Sequence, residues 1–221
     1  MIIRENHITV EKTARYFSNK PNNKKLKNFW FVLHGYGQLA SDFINQFEFL
    51  DKDETLIVAP EGLSKFYSRS LLGASWMTKE DRHYEIEDYL NYLNRLITQL
   101  IIDYDLSEAN SNLLGFSQGV HTAVRLFTNS EFKFNKLMLC SSDFPEDTDF
   151  IKLKNKLKKS DMYYINGNSD RIITSKSLEE SKKLLQSKEI NFNELLFEGG
   201  HVIDKDSLNL VFGNSDLGIG V

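Results

Sequence analysis

A single cysteine, Cys140, in 221 residues excludes an internal disulfide and fits a reducing compartment. It stands in the apolar run Lys136-Leu137-Met138-Leu139-Cys140 and reads as a buried structural thiol. No apolar stretch approaches the roughly 18 residues that span a bilayer, so stable membrane insertion is not expected. Met1 to Glu11 carries Arg4 and Glu5 and lacks the continuous apolar segment of a signal peptide, so the expectation is a cytoplasmic soluble protein. An excess of positive charge is missing as well: 27 Lys and Arg stand against 31 Asp and Glu. That balance gives no electrostatic reason to expect nucleic acid as a partner. The lysine clusters at Lys20, Lys24, Lys25 and Lys27 and at Lys152, Lys154, Lys156, Lys158 and Lys159 lack interleaved aromatics and read as solvated faces. The nucleotide fingerprints G-x-x-x-x-G-K-[ST] and G-x-G-x-x-G are absent, and neither His34 nor His83 suggests a metal set. No cofactor and no metal are expected.

What the chain does have is alternation. Strand-like runs at Phe29 to Leu33, Thr55 to Ala59, Asn112 to Leu114, Lys136 to Cys140, Met162 to Ile165 and Glu194 to Phe197 are separated by helix-like spacing at Ser41 to Leu50, Ile86 to Asp103, Gln118 to Thr128, Phe150 to Lys158 and Ser175 to Ser187. This pattern predicts an α/β fold with a mostly parallel central sheet and helices on both faces. Residues 1–28 read as an N-terminal edge strand, Ile8 to Ser18, followed by a turn. Residues 213–221 read as a flexible tail, and no linker divides residues 1–221, so one domain is expected.

The most informative segment is Gly115-Phe116-Ser117-Gln118-Gly119. A G-x-S-x-G motif between strand and helix matches a sharp turn that lifts a nucleophilic serine out of the sheet, with glycines where a Cβ would collide. Alone the motif is suggestive; the order of two segments downstream strengthens it. Asn166-Gly167-Asn168-Ser169-Asp170 and Gly199-Gly200-His201 complete the sequence Ser, Asp, His. A serine hydroxyl needs a base, and His201 is the histidine downstream of both other residues. Asp170 is then the carboxylate that orients the imidazole, with Asp143 as a rival acid after the preceding strand. The oxyanion of acyl transfer needs two donors. The backbone N–H of Gln118 opens the helix after the serine, and that of Tyr36 lies in the loop Leu33-His34-Gly35-Tyr36-Gly37-Gln38. His121 reads as packed or solvated. The aromatic-rich stretch from Phe66 to Met77 offers acyl contacts, with Phe66 and Trp76 as candidates; a plain packed loop is the other reading of that stretch.

Taken together, these four segments resemble the phospholipase/carboxylesterase family of α/β-hydrolases over residues 29–205, with glutamine directly after the serine as the most specific marker. The segment from Pro60 to Arg82 looks more like the bacterial carboxylesterase branch than a thioesterase. The resemblance implies a serine esterase or thioesterase without metal and without a large cap domain. The expected function is hydrolysis of a small-molecule ester with a short to medium acyl chain. Long-chain acyl thioesterase or lysophospholipase activity, and a catalytically idle binding fold, are the alternatives.

Overall fold

The computed structural model describes residues 1–21, 26–50 and 53–213. Phe29, Phe31 and Leu33 point to one side of their strand and Trp30 and Val32 to the other, and all are buried. A strand apolar on both faces belongs inside a sheet covered twice. That strand, β2 (Asn28–Leu33), lies within a seven-stranded sheet with β1 (Tyr16–Ser18), β3 (Thr55–Pro60), β6 (Asn110–Phe116), β7 (Lys136–Cys140), β8 (Asp161–Gly167) and β9 (Asn193–Phe197), in the order β1-β3-β2-β6-β7-β8-β9. Only β1 is antiparallel. Between β3 and the long helix, β4 (Ser64–Ser68) and β5 (Leu71–Ser75) form a separate hairpin.

One face of the sheet is covered by α2 (Arg82–Asp103), α3 (Gln118–Asn129), α4 (Phe150–Leu157) and α5 (Ser175–Ser187), through Tyr89, Leu93, Val120, Val124, Leu153 and Leu185. The other is covered by α1 (Ala40–Phe43), a 3-10 turn at Ile44–Phe47 and α6 (Lys205–Gly213), through Phe43, Phe47, Leu208 and Val211. Parallel strands carry all their C-terminal ends to one edge of the sheet, where such folds place their sites.

Four segments differ from the sequence reading. The edge strand expected from Ile8 is confined to Tyr16–Ser18, because Tyr16 already stands opposite Pro60, the last residue of β3, and the chain before it has no ladder to join. The helix expected over Ser41 to Leu50 is a short α1 followed by the 3-10 turn. The chain from Phe66 to Met77, read without regular structure, contains the hairpin, and the unexpected helix α6 runs into Gly213, the first residue of the expected tail. Asp204 accepts the N–H of Ser207 at 2.8 Å and starts that helix. The rest of the expected tail, 214–221, and the part of the expected N-terminal turn over 22–25 lie outside the described residues. Among the described residues, no helix is long and apolar enough to cross a membrane.

Candidate active site

At the end of β6 the chain reverses into α3 through Ser117, whose φ of 52° and ψ of −123° few non-glycine residues adopt. Its N–H donates to the Cys140 carbonyl at 2.9 Å, which holds the turn against β7. The flanking glycines are sterically required: a Cβ on Gly115 would sit 2.4 Å from the Gly119 carbonyl oxygen, and one on Gly119 would sit 2.2 Å from that of Leu33.

Asp170 comes after β8. Its Oδ1 accepts the N–H groups of Ile172 and Ile173 at 2.8 and 3.0 Å, which leaves Oδ2 for His201 Nδ1 at 2.8 Å. The carboxylate is 1% exposed and the imidazole 17%. With Nδ1–H given to Asp170, Nε2 holds the lone pair a base needs. The His201 ring packs at 4.9 Å from that of Phe116, the residue before Ser117, which sets the imidazole beside the turn. The Ser117 hydroxyl has no hydrogen-bond partner among the described residues; such contacts often tighten only when substrate binds.

The loops that carry acid and histidine meet backbone to backbone. A Cβ on Gly167 would stand 2.4 Å from the Gly199 carbonyl oxygen and 2.5 Å from that of Gly200. The sequence marked Gly167 only as part of a turn. The rival acid is committed elsewhere, since Asp143 Oδ1 lies 3.0 Å from His121 Nε2. That hydrogen bond is the chief reason its carboxyl titrates below the usual carboxylate range.

On the opposite flank, the loop after β2 approaches the nucleophile so closely that a Cβ on Gly35 would be 3.1 Å from Ser117 Cβ. Gln38 folds this loop, its Oε1 accepting the Gly35 N–H at 2.7 Å. The N–H groups of Tyr36 and Gln118 donate to no other described residue. The Tyr36 ring is exposed and stacks at 4.9 Å on Phe66 from the hairpin, so Phe66 stands at the rim beside the loop.

Trp76 does not line a groove, and the expectation of an acyl contact there is corrected. It is 1% exposed, packs against Tyr89, and its indole N–H donates to the His34 carbonyl at 2.8 Å. The side chain of Gln118 was also unforeseen. It accepts the Trp76 N–H at 3.1 Å and donates to the Met77 carbonyl at 2.8 Å, fastening the end of the hairpin to the turn. Glu61 is a buried carboxylate beside this loop: Arg15 reaches it at 2.6 Å, Lys65 at 3.1 Å and the Ala40 N–H at 3.3 Å.

The sequence model of the phospholipase/carboxylesterase family matches residues 17–212, nearly the whole chain. The chain belongs to this family. Its members hydrolyse carboxylic esters, and the chain is an ester hydrolase. Similar solved structures include esterase PE8 (22% identity, TM-score 0.69, covering 91% of this chain and 97% of that one). Acyl-protein thioesterase 2 of Zea mays is similar at 16% identity and a TM-score of 0.68, with 90% and 96% of the two chains covered. A carboxylesterase of Bacillus cereus matches at 18% identity and a TM-score of 0.67, covering 90% and 91%. At these identities the likeness shows the α/β-hydrolase fold, and no large cap accompanies it among the described residues. No curated protein matches the sequence significantly.

Proposed function

We propose that the chain is a single-domain, cofactor-free serine esterase for short to medium acyl chains, working through an acyl-enzyme. Ser117 attacks the ester carbonyl as His201 Nε2 takes its proton. The imidazolium so formed is stabilised by Asp170 and returns the proton to the leaving alcohol; water activated by the same nitrogen then releases the acid. The N–H groups of Tyr36 and Gln118 receive the oxyanion. The single observation that carries this reading is the 2.8 Å contact between His201 Nδ1 and the buried Asp170 carboxylate, beside a serine in a strained turn.

The acyl preference rests on the hairpin. Phe66, stacked on Tyr36 at 4.9 Å, offers an apolar wall beside the oxyanion loop, and no further insertion among the described residues extends it. Each methylene laid against that wall contributes about 0.8 kcal/mol, so the gain in kcat/KM stops where the wall stops.

Ser117→Ala tests the mechanism. The folded variant should lose several orders of magnitude in kcat and should no longer be labelled by a serine-directed phosphonate. Retention of a tenth of the wild-type kcat would defeat the assignment. A kcat/KM that climbs steadily to palmitoyl esters would favour the long-chain thioesterase or lysophospholipase reading over the short-chain one.

A further inference from the structure

His34 is fully buried and has no part in the proton transfers above. Its ring nonetheless bridges two backbone groups. The Gly62 N–H donates to Nε2 at 3.0 Å, and Nδ1 lies 2.8 Å from the Gly35 carbonyl oxygen. An amide N–H can only donate, so Nε2 is the acceptor, and Nδ1 carries the hydrogen given to Gly35. Burial also holds the imidazole below its usual range, which favours this neutral form.

The Gly35 carbonyl belongs to the same peptide plane as the Tyr36 N–H. In a trans peptide these two groups point in opposite directions. With its oxygen taken by His34 and by the Gln38 N–H at 3.2 Å, this plane cannot rotate without breaking both bonds. A free peptide at this glycine could turn its carbonyl, a negative dipole, toward the developing oxyanion. The segment at the end of β3 therefore grips the loop at both ends, Gly62 through His34 and Glu61 through the Ala40 N–H.

We propose that His34 is a positioning residue for acyl transfer: spanning Gly62 and Gly35, its ring locks the Gly35–Tyr36 peptide with the Tyr36 N–H turned to the oxyanion. This rests on the reading of Ser117 as nucleophile and of Tyr36 as oxyanion donor.

Three substitutions divide the two hydrogen bonds. His34→Asn places an amide N–H where Nδ1–H stands and keeps the hold on Gly35. His34→Gln reaches Gly62 but releases Gly35, and His34→Phe fills the volume and makes neither bond. Active sites are counted by end-point phosphonate labelling, kcat and KM are measured per labelled site on a short-chain p-nitrophenyl ester, and affinity is measured for an alkyl boronic acid, which becomes tetrahedral on the serine. His34→Gln and His34→Phe should lose about a hundredfold in kcat with little change in KM, and boronate affinity should fall in step. His34→Asn should stay within about tenfold of wild type on the same scale. A purely structural ring would be hurt alike by Asn and Gln, since each keeps one bond. Equal losses in those two variants, or an unchanged kcat per site in His34→Gln, overturn the proposal. Activity surviving in Ser117→Ala would instead overturn the underlying mechanism, whatever the His34 variants do.

Discussion

Asp143 Oδ1 lies 3.0 Å from His121 Nε2, so the carboxylate that competes with Asp170 in the sequence already has an imidazole of its own. The two acids are sorted by partner: Asp170 to His201, Asp143 to His121. Asp170→Asn should cost about 10⁴-fold in kcat, because the amide favours the wrong histidine tautomer. Asp143→Asn should leave kcat within a few fold of wild type. Steady-state kinetics of the two variants decide it, and a reversed ranking defeats the pairing.

Phe66 and Trp76 should part in their effects. Trp76→Ala empties a core site and should lower stability by about 3–5 kcal/mol in urea unfolding. Phe66→Ala removes a partly exposed ring and should flatten the dependence of kcat/KM on acyl length with little loss of stability. A Phe66→Ala enzyme with the wild-type length profile would remove the hairpin from the acyl site.

Gly167→Ala probes the meeting of the acid and histidine loops. The methyl would enter the space of the Gly199 and Gly200 carbonyls, so the loops must separate and the 2.8 Å contact between Asp170 and His201 must lengthen. The expected result is a fall in kcat of about tenfold or more, greater than the change in KM. Unchanged kinetics would mean that the loops yield without disturbing the pair.

Glu61 gives a pH signature. Burial alone would raise its carboxyl, but hydrogen bonds from Arg15, Lys65 and the Ala40 N–H outweigh this and hold it below the usual 4.5. The unfolded chain then binds this proton before the folded chain does. Stability from this group is complete above pH 4.5 and is lost as pH falls through the lower folded value. Urea midpoints of wild type should drop across that window, and those of Glu61→Gln should start lower and drop less. Parallel curves would count against the role of this carboxylate.

The core strands and most of the helices were legible because a strand buried on both faces, such as Phe29 to Leu33, announces itself by composition, and α2 by its stripe of Tyr89, Leu93 and Leu100. The hairpin was not. Its turn places Arg69 and Ser70 at φ of 47° and 70°, a conformation usually signalled by Asn-Gly, and neither residue gives that signal. The serine turn was legible because its two glycines are forced by contacts that any such turn makes. The contacts of Gly167 and of the Gln118 and His34 side chains were not, since each depends on a segment distant in sequence: Gly199, Met77 and Gly62. Trp76 misled for a related reason. An aromatic in a loop-like stretch reads as exposed until its partner, the His34 carbonyl, is in view.

The bolt that Gln118 drives through the base of the hairpin separates what can be exchanged from what cannot. Ser75, Trp76 and Met77 are fastened to the residue next to the nucleophile, so a change there pulls on the turn itself. Among the described residues, the outer part of the hairpin, with exposed Tyr67 and Leu71 at its end, makes no such hydrogen bond to the turn. Hairpins of other lengths and side chains grafted across the Ser68–Leu71 tip should therefore leave the Ser117 turn in place and, on the acyl site proposed above, change substrate choice. The molecule is in this respect built as a fixed engine with an interchangeable front wall.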